Sequence, residues 1–208
     1  MGKVKEMSYS EKYAKVIENM KFDEEFILPF IQENLGSRAV GVLKDIWQKG
    51  CKPIEGASFE EKYEVAYGNW ICLTKSVYSF IRKQMGEDGI KKFERAEVEA
   101  LKKKNVGPAL LLLKLIGLFS PGKAFAMTAK QIAYQLRWLT PYSVSELTRN
   151  KAVFDIPRCK ILDFPDTDAI CLVGCQSTYP MWVAEQFKVY MKFNRLGNSC
   201  TWTLTPLT

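Results

Sequence analysis

The hydrophobic period of this chain changes once, close to Pro141, and that change limits the folds open to it. Before Pro141, apolar residues recur at helical spacing between residues that start and stop helices. Ser8 precedes Glu11, and Ser58 precedes Glu61, at the spacing of a capping box, so a helix is expected to begin at each serine. The predicted helices are Ser8–Met20, Asp23–Gly36 with a bend at Pro29, Ser37–Gly50, Ser58–Met85, Glu87–Lys104, Ala109–Phe119 and a last one that ends near Leu139.

In the last third of the chain, apolar and polar residues alternate, as on strands with one buried face. Two short strands with a turn at Asn150-Lys151 are predicted, followed by a helix over Tyr179–Phe187. The clearest signal is a terminal β-hairpin over Val189–Thr205, with its turn at Gly197-Asn198. The alternation places Trp202 on the buried face of that hairpin.

These two parts together predict an α+β fold, with six or seven helices packed on a small antiparallel sheet. The 208 residues fit a single domain, 1–208, in which 1–140 is the helical part and 141–208 the β-containing, cysteine-bearing part. Apolar residues make up 47% of the chain and charged residues 25%, a mixture typical of globular proteins rather than disordered ones.

The chain contains no histidine. A Ser-His or Cys-His nucleophile pair, haem held by a proximal histidine and histidine-ligated zinc are therefore excluded. Any general base must be a carboxylate, a lysine, a tyrosine or a thiolate. No cofactor is indicated by the sequence.

Four of the six cysteines, Cys159, Cys171, Cys175 and Cys200, lie in the last 50 residues. They can be core thiols, since buried cysteine is a common small apolar side chain. They can also be zinc ligands, although only Cys171 and Cys175 approach the close spacing of structural zinc sites. A reactive thiol is the third interpretation, with Arg195, across the hairpin from Cys200, as the cation that lowers its pKa. Core packing is favoured over both alternatives, so zinc is considered but not favoured.

Aromatic side chains recur at helical spacing along Ser58–Met85, at Tyr63, Tyr67, Trp70 and Tyr78. Core packing explains them most simply, and a ligand pocket is the alternative. Gly68 costs roughly 1 kcal/mol against alanine inside a helix, so another helix or a ligand is expected to approach it closely. We predict an apolar pocket between this helix and the C-terminal sheet, with Tyr63, Tyr67, Trp70 and Trp202 as the candidate ligand-binding residues.

The formal net charge is +7, and its densest cluster is Lys102-Lys103-Lys104. No aromatic residue is interleaved with that cluster, so we expect a solvated helix face and no nucleic-acid partner. Ala109–Phe119, at about eleven residues, is shorter than the roughly 20 that span a bilayer. It is predicted to be a buried core helix, with a membrane-surface or apolar-ligand role as the alternative. Residues 1–21 lack the apolar core of a signal peptide, which predicts a cytoplasmic location and free thiols.

The C-terminal segment carries Cys175, Pro180, Phe187, Met191, Phe193, Arg195, Gly197, Cys200, Trp202 and Leu204 in an order that resembles the end of the aminothiazoline-carboxylate hydrolase-like family. The resemblance implies a helical N-terminal half before a cysteine, a helix, an arginine, a glycine turn and a cysteine in the final strand. It also implies Cys175 as nucleophile or polar anchor, with Cys200 beside it and Arg195 binding a substrate carboxylate. In outline the chain is also similar to four-vinyl-reductase-type domains, which share a fold with the TRAPP subunits.

These observations leave functions of different classes open. The chain is expected to be a small-molecule-binding protein with an apolar pocket that has a Cys/Arg polar end. The alternatives are a hydrolase of a small carboxylate-bearing heterocycle or C–N bond, and a dimeric assembly or sensor module. A small organic ligand and a homodimer are the expected partners.

Overall fold

Helices occupy the first two-thirds of the chain and a four-stranded sheet forms at its end, as the change of period predicts. The computed structural model describes residues 4–207, apart from the side chains of Ala109 and Lys114. Over that part of the chain the elements are α1 Tyr9–Leu35, α2 Ser37–Gly50, α3 Phe59–Lys104, α4 Pro108–Phe119, α5 Pro121–Leu136, β1 Ser143–Leu147, β2 Ala152–Ile156, a 3-10 turn Lys160–Asp163, a π-helix Ile170–Thr178, α6 Tyr179–Phe187, β3 Val189–Leu196 and β4 Ser199–Pro206. The predicted α+β class is confirmed.

Both predicted capping boxes are present. The Ser8 hydroxyl accepts the amide N–H of Glu11, and the Glu11 carboxylate accepts the amide N–H of Ser8. Ser58 and Glu61 make the same reciprocal pair of hydrogen bonds at the start of α3. Each box satisfies two of the amide donors that a helix N-terminus leaves without partners, so the sequence sets both starting points locally.

The predicted helix start at Asp23 is wrong, because α1 runs through it without a break for 27 residues. No glycine or proline lies between Ser8 and Asp23, and the Asp23 carboxylate does not cap a helix. Instead it accepts a hydrogen bond of 3.1 Å from the indole Nε1 of Trp70 on α3. Asp23 therefore faces the interior of the protein.

Helix α3 changes direction at Gly86, whose backbone has a φ of 68° and a ψ of −163°. A residue with a Cβ rarely adopts such a conformation, so glycine allows the break. The break divides α3 into an N-terminal limb, residues 59–85, and a C-terminal limb, residues 87–104. This confirms that one helix ends near Met85 and another begins at Glu87.

The sheet is antiparallel throughout, with strand order β1-β2-β4-β3. The terminal hairpin pairs Phe193 with Trp202 and Arg195 with Cys200. Trp202 and Leu204 are buried, so this face of β4 packs toward the helices. The predicted hairpin and its Gly197-Asn198 turn are confirmed.

Two tyrosines join α3 to the segment that connects the helices with the sheet. The Tyr63 hydroxyl donates to the carbonyl oxygen of Trp138 at 2.6 Å, and the Tyr67 hydroxyl to that of Leu139 at 2.7 Å. Both rings are almost fully buried. Helices and sheet consequently share one continuous apolar core.

Helix α4 is not the buried core helix that its apolar composition predicts. It packs mainly against α5, and its other face exposes five large apolar side chains: Leu111, Leu112, Leu115, Leu118 and Phe119. A helix this rich in apolar side chains needs partners on most of its surface, and α5 is the main partner of α4 within the part of the chain that the structure describes. No helix in residues 4–207 combines the length and apolarity that a membrane span requires.

Candidate functional site

A cavity of about 310 Å³ lies between the helices and the C-terminal sheet. Both limbs of α3 line it, together with α1, α5, the π-helix, α6 and the two hairpin strands. This is the position predicted for a pocket. Its volume is at the small end of the range for organic-ligand sites, which is roughly 300–1,000 Å³.

Nine aromatic side chains contribute to the cavity wall. The Trp70 and Trp138 rings meet edge to face with centroids 5.0 Å apart, and the Phe193 and Trp202 rings with centroids 5.2 Å apart. Such contacts hold rings in fixed orientations. The nine aromatic residues of the wall are Phe22, Trp70, Tyr78, Trp138, Tyr179, Trp182, Phe187, Phe193 and Trp202.

Asp23 from α1 and Glu97 from the C-terminal limb of α3 line the cavity, in addition to Glu18. Burial raises the pKa of Asp23 from 3.8 to about 7, although the Trp70 hydrogen bond and the Lys104 charge oppose it. Burial, and then the charges of Asp23 and Glu94, raise the pKa of Glu97 from 4.5 to about 8. Near neutral pH the pair therefore holds at least one proton on average.

Two buried polar atoms in the cavity have no hydrogen-bond partner. Four side-chain nitrogen or oxygen atoms in residues 4–207 are in this condition, and the cavity residues contribute two of them, Glu97 Oε2 and Thr178 Oγ1. Thr178 is only 2% exposed. Buried polar atoms almost always have partners. Both residues line the cavity, while the two atoms themselves are almost inaccessible to solvent.

Charged residues are concentrated at one end of the cavity. A shallow surface groove shares Glu18, Phe22 and Lys104 with the cavity, so we take this end as its opening. Glu18 accepts Lys15 at 2.6 Å and lies 3.4 Å from Lys104. The Lys104 ammonium also lies 4.5 Å from the centre of the Phe22 ring. Both lysines at the opening thus share one acid, Glu18, each through a different carboxylate oxygen.

The π-helix sets which of its side chains reach the cavity. Ile170, Gly174, Cys175 and Thr178 line it, so the lining residues recur about once per turn on one face of the helix. Cys171, expected one α-helical turn from Cys175, lies outside the lining, where its sulfur accepts the amide of Gln176 at 3.3 Å. π-helical turns are rare and are frequent at functional sites.

Among the predicted ligand-binding residues, Trp70 and Trp202 line the cavity, and Tyr63 and Tyr67 lie outside it. The two tyrosines use their hydroxyls in the backbone hydrogen bonds that tie α3 to the connecting segment. Burial raises the pKa of both phenols far above its usual range, so they remain neutral. Their position indicates a structural role.

The four C-terminal cysteines lie near one another as free thiols. Burial, and then the neighbouring thiols, raise the pKa of Cys175 well above its usual value. Burial and the nearby Cys171 raise the pKa of Cys200 to about 11, and burial also raises that of Cys159. Within residues 4–207, no three His, Cys, Asp or Glu side chains are arranged as ligands of one metal ion.

Arg195 faces away from the cavity lining. Its Nη1 donates to Asp168 at 2.8 Å, and its Nε donates to the carbonyl oxygen of Gly197 at 2.9 Å. It also contacts the Cys171 thiol. The structure therefore brings Arg195 to Cys171, and it brings Cys175 to the cavity without Arg195 beside it.

The carboxyl pair was not anticipated from the sequence, although a signal for it exists. Glu97 lies seven residues after Ile90 and one residue before Val98, on the apolar stripe of its helix. Asp23 follows Val16 by seven residues and precedes Ile27 by four, so it also lies on an apolar stripe once α1 is recognised as one helix. A carboxylate on an apolar helix stripe indicates a candidate functional residue, because isolated charges are rarely buried.

Comparison with known proteins identifies no relative. No protein-family model matches the sequence, and no curated protein is detectably similar to it. The geometry alone therefore defines what the cavity can do: enclose a small molecule with an aromatic body and exchange protons or charge with it near neutral pH.

Proposed function

We propose that this chain is a small-molecule-binding protein whose ligand occupies the cavity. The observation that carries the proposal is the pair of unpartnered polar atoms, Glu97 Oε2 and Thr178 Oγ1, inside a chamber walled by aromatic rings. An aromatic ligand would bury apolar surface there, and a polar group on it would satisfy both atoms.

The polar end of the proposed site is the carboxyl pair rather than the Cys/Arg end expected from the sequence. Asp23 and Glu97 line the cavity, whereas Arg195 bonds Asp168 outside it. Cys175 lines the cavity as a thiol whose pKa is raised, which suits a weak polar contact better than a nucleophile.

A small-molecule hydrolase is the second candidate, and one observation favours it. The pKa values of Asp23 and Glu97, at about 7 and about 8, match what general acid–base catalysis at neutral pH needs. In that case the carboxyls would provide the acid and base of the reaction, in place of the nucleophile that the family resemblance implies at Cys175. Membership of that family and the homodimer stay predictions; light scattering coupled to size exclusion tests the homodimer.

Filling the cavity tests the binding function. Thr74 lines it and donates its hydroxyl only to the Trp70 carbonyl oxygen within the same helix, so Thr74→Phe adds a ring without breaking a tertiary hydrogen bond. Ser79 is exposed on the same helix, which makes Ser79→Phe the matched control. Binding of N-phenyl-1-naphthylamine, a neutral fluorescent probe, is titrated for all three proteins after circular dichroism has shown that each is folded.

The wild type and Ser79→Phe should bind the probe with equal affinity and a stoichiometry of one, and Thr74→Phe should bind at least tenfold more weakly. Equal binding by all three would place the probe elsewhere on the protein. Absence of binding by the wild type, together with absence of a co-purifying molecule in native mass spectrometry, would overturn the proposal.

A further inference from the structure

We propose that the cavity binds an organic cation, a small aromatic amine whose ammonium group lies between Asp23 and Glu97. This inference rests on the proposed binding function and names the chemical class of the ligand. It also assigns roles: the two carboxyls hold the charge, and the aromatic wall holds the ring and the alkyl stem of the amine.

The first argument is that neither Asp23 nor Glu97 forms an ion pair within residues 4–207, although the Lys104 charge is near enough to oppose the rise in the pKa of Asp23. The only hydrogen bond to Asp23 from another side chain in residues 4–207 comes from the Trp70 indole, a neutral donor. Glu97 Oε2 has no partner in that part of the chain. No lysine or arginine nitrogen described there lies within ion-pair distance of either carboxyl. A buried carboxylate without a cation is costly, and an ammonium donor would remove that cost.

The second argument is the wall itself. Trp70 and Tyr78 come from α3 beside the two carboxyls, and Tyr179 and Trp182 come from α6. Aromatic faces attract ammonium groups through their quadrupoles, most strongly when the site is desolvated, and tryptophan does so best. A chamber that combines such rings with two carboxyls offers a cation both kinds of favourable contact.

Other ligand chemistries fit less well. An anion would need the lysines at the opening, but Lys15 and Lys104 already pair with Glu18, at 2.6 and 3.4 Å. A divalent metal ion takes six or more oxygen ligands, or four ligands that include thiolate or imidazole. Two carboxyls in an aromatic chamber supply too few of them.

The protonation state of the pair makes the binding depend on pH. Charged and titratable groups face Asp23 and Glu97 from every element around them, namely Lys15, Glu18, Tyr78, Glu94, Lys104, Cys175 and Tyr179. Burial raises the pKa of the Tyr78 and Cys175 side chains, so both stay neutral near pH 7. Because the carboxyls hold protons at that pH, a bound cation must displace them. Affinity for a cation should therefore rise with pH.

Three probes that share one skeleton test the inference: 4-phenylbutylamine, 4-phenylbutan-1-ol and 4-phenylbutanoate. Each is titrated against the full chain by calorimetry and by tryptophan fluorescence, since Trp70, Trp138, Trp182 and Trp202 line the cavity. At pH 8.5 the amine should bind at least tenfold more tightly than the alcohol, and the carboxylate more weakly than both. Between pH 8.5 and pH 6 the amine should lose about 10- to 100-fold in affinity, roughly tenfold per pH unit for each proton displaced, while the alcohol should not change.

Variants then locate the cation. Glu97→Gln and Asp23→Asn keep the shape of each side chain and remove its charge, so each should weaken amine binding at pH 8.5 by about tenfold or more, a larger loss than it causes in alcohol binding. Each should also flatten the dependence of amine affinity on pH. Asp45→Asn, an exposed acid on α2, is the control and should change neither ligand.

The outcomes separate this inference from the proposed function. Equal binding of amine and alcohol at every pH, or amine binding that is unaffected by both variants, would overturn the cation and leave the cavity as a binding site. If none of the three probes binds to a protein that still binds N-phenyl-1-naphthylamine, the cation inference is likewise overturned and the cavity remains a binding site. If that neutral probe fails as well, both proposals fall.

Discussion

Replacing Glu97 with glutamine should stabilise the protein at high pH and not at low pH. Burial and the charges of Asp23 and Glu94 raise the pKa of Glu97 from 4.5 to about 8. Below pH 4.5 the group is protonated in both the folded and the unfolded chain, so folding changes no charge. Between pH 4.5 and about 8 the folded chain retains a proton that the unfolded chain has released. The free energy of unfolding therefore falls as pH rises, and the loss is complete above about pH 8.

The size of the effect follows from that pKa difference. The difference between 4.5 and about 8, at roughly 1.36 kcal/mol per pKa unit, corresponds to about 5 kcal/mol at most. Water that enters the cavity when the group ionises would reduce this value, so we expect Glu97→Gln to gain about 2–5 kcal/mol over the wild type at pH 9. At pH 4.5 the two proteins should differ by less than about 1 kcal/mol, since glutamine resembles a neutral carboxyl group.

Urea unfolding at pH 4.5, 7 and 9, followed by tryptophan fluorescence, measures this difference directly. Glu99→Gln is the control, because Glu99 lies two residues away on the same limb of α3, is exposed and pairs with Lys102 at 2.9 Å. An exposed pair of this kind contributes less than about 1 kcal/mol, so the control should follow the wild type at every pH. If the stability difference between Glu97→Gln and the wild type is constant from pH 4.5 to pH 9, Glu97 has an ordinary pKa, and the desolvated carboxyl pair does not exist in solution.

Three further predictions concern other parts of the fold. An added Cβ at Gly68 would meet only Phe164, at an ordinary 3.7 Å, so Gly68→Ala should stabilise the protein by about 0.5–1 kcal/mol. Gly86 has a φ of +68°, so Gly86→Ala should destabilise the protein by about 1 kcal/mol or more. Urea unfolding measures both changes. Because its pKa is raised, Cys175 should react with iodoacetamide at pH 7 far more slowly than an unfolded thiol, and peptide mapping that shows rapid modification would contradict its burial. Thr178→Val removes a hydroxyl without a partner and should raise the melting temperature of the ligand-free protein. Thr167→Val removes a hydroxyl that donates to the Ile161 carbonyl oxygen at 3.0 Å and should lower the melting temperature.

Much of the fold follows from local rules that can be read in the sequence. The capping boxes at Ser8 and Ser58, the break at Gly86 and the alternation of the terminal hairpin each fix an element through contacts made within a few residues. Two elements escaped these rules. Inside the continuous α1, Asp23 bonds Trp70, which is distant in sequence, and the exposure of α4 depends on which helices pack against it.

The candidate site was only partly predictable, because its polar residues come from elements that are distant in sequence. The position of the pocket and two of its residues, Trp70 and Trp202, follow from aromatic residues on a long helix and from the buried face of the hairpin. The carboxyl pair joins α1 to the C-terminal limb of α3, and that pairing depends on how the kink at Gly86 folds the chain back. The way two helices align against each other is set by the tertiary fold, so it cannot be obtained from the spacing of residues along either helix. Cysteine content drew the prediction toward Cys200 and Arg195, which the fold places outside the cavity lining.

Several departures from the usual rules of stability meet at this one cavity. Asp23 and Glu97 occupy apolar helix stripes where leucine would be more stable, Thr178 has a buried hydroxyl without a partner, and the segment that carries Thr178 is a π-helix. A single costly group needs no function, because proteins are seldom at their stability optimum. Destabilising groups that arise independently in α1, in α3 and in the π-helix would not be expected to line the same cavity unless a ligand in that cavity offsets their cost in stability. Departures from local consistency concentrate at functional sites. A bound ammonium group would offset one carboxylate charge and donate hydrogen bonds to both carboxyls, which is why we place the ligand between them.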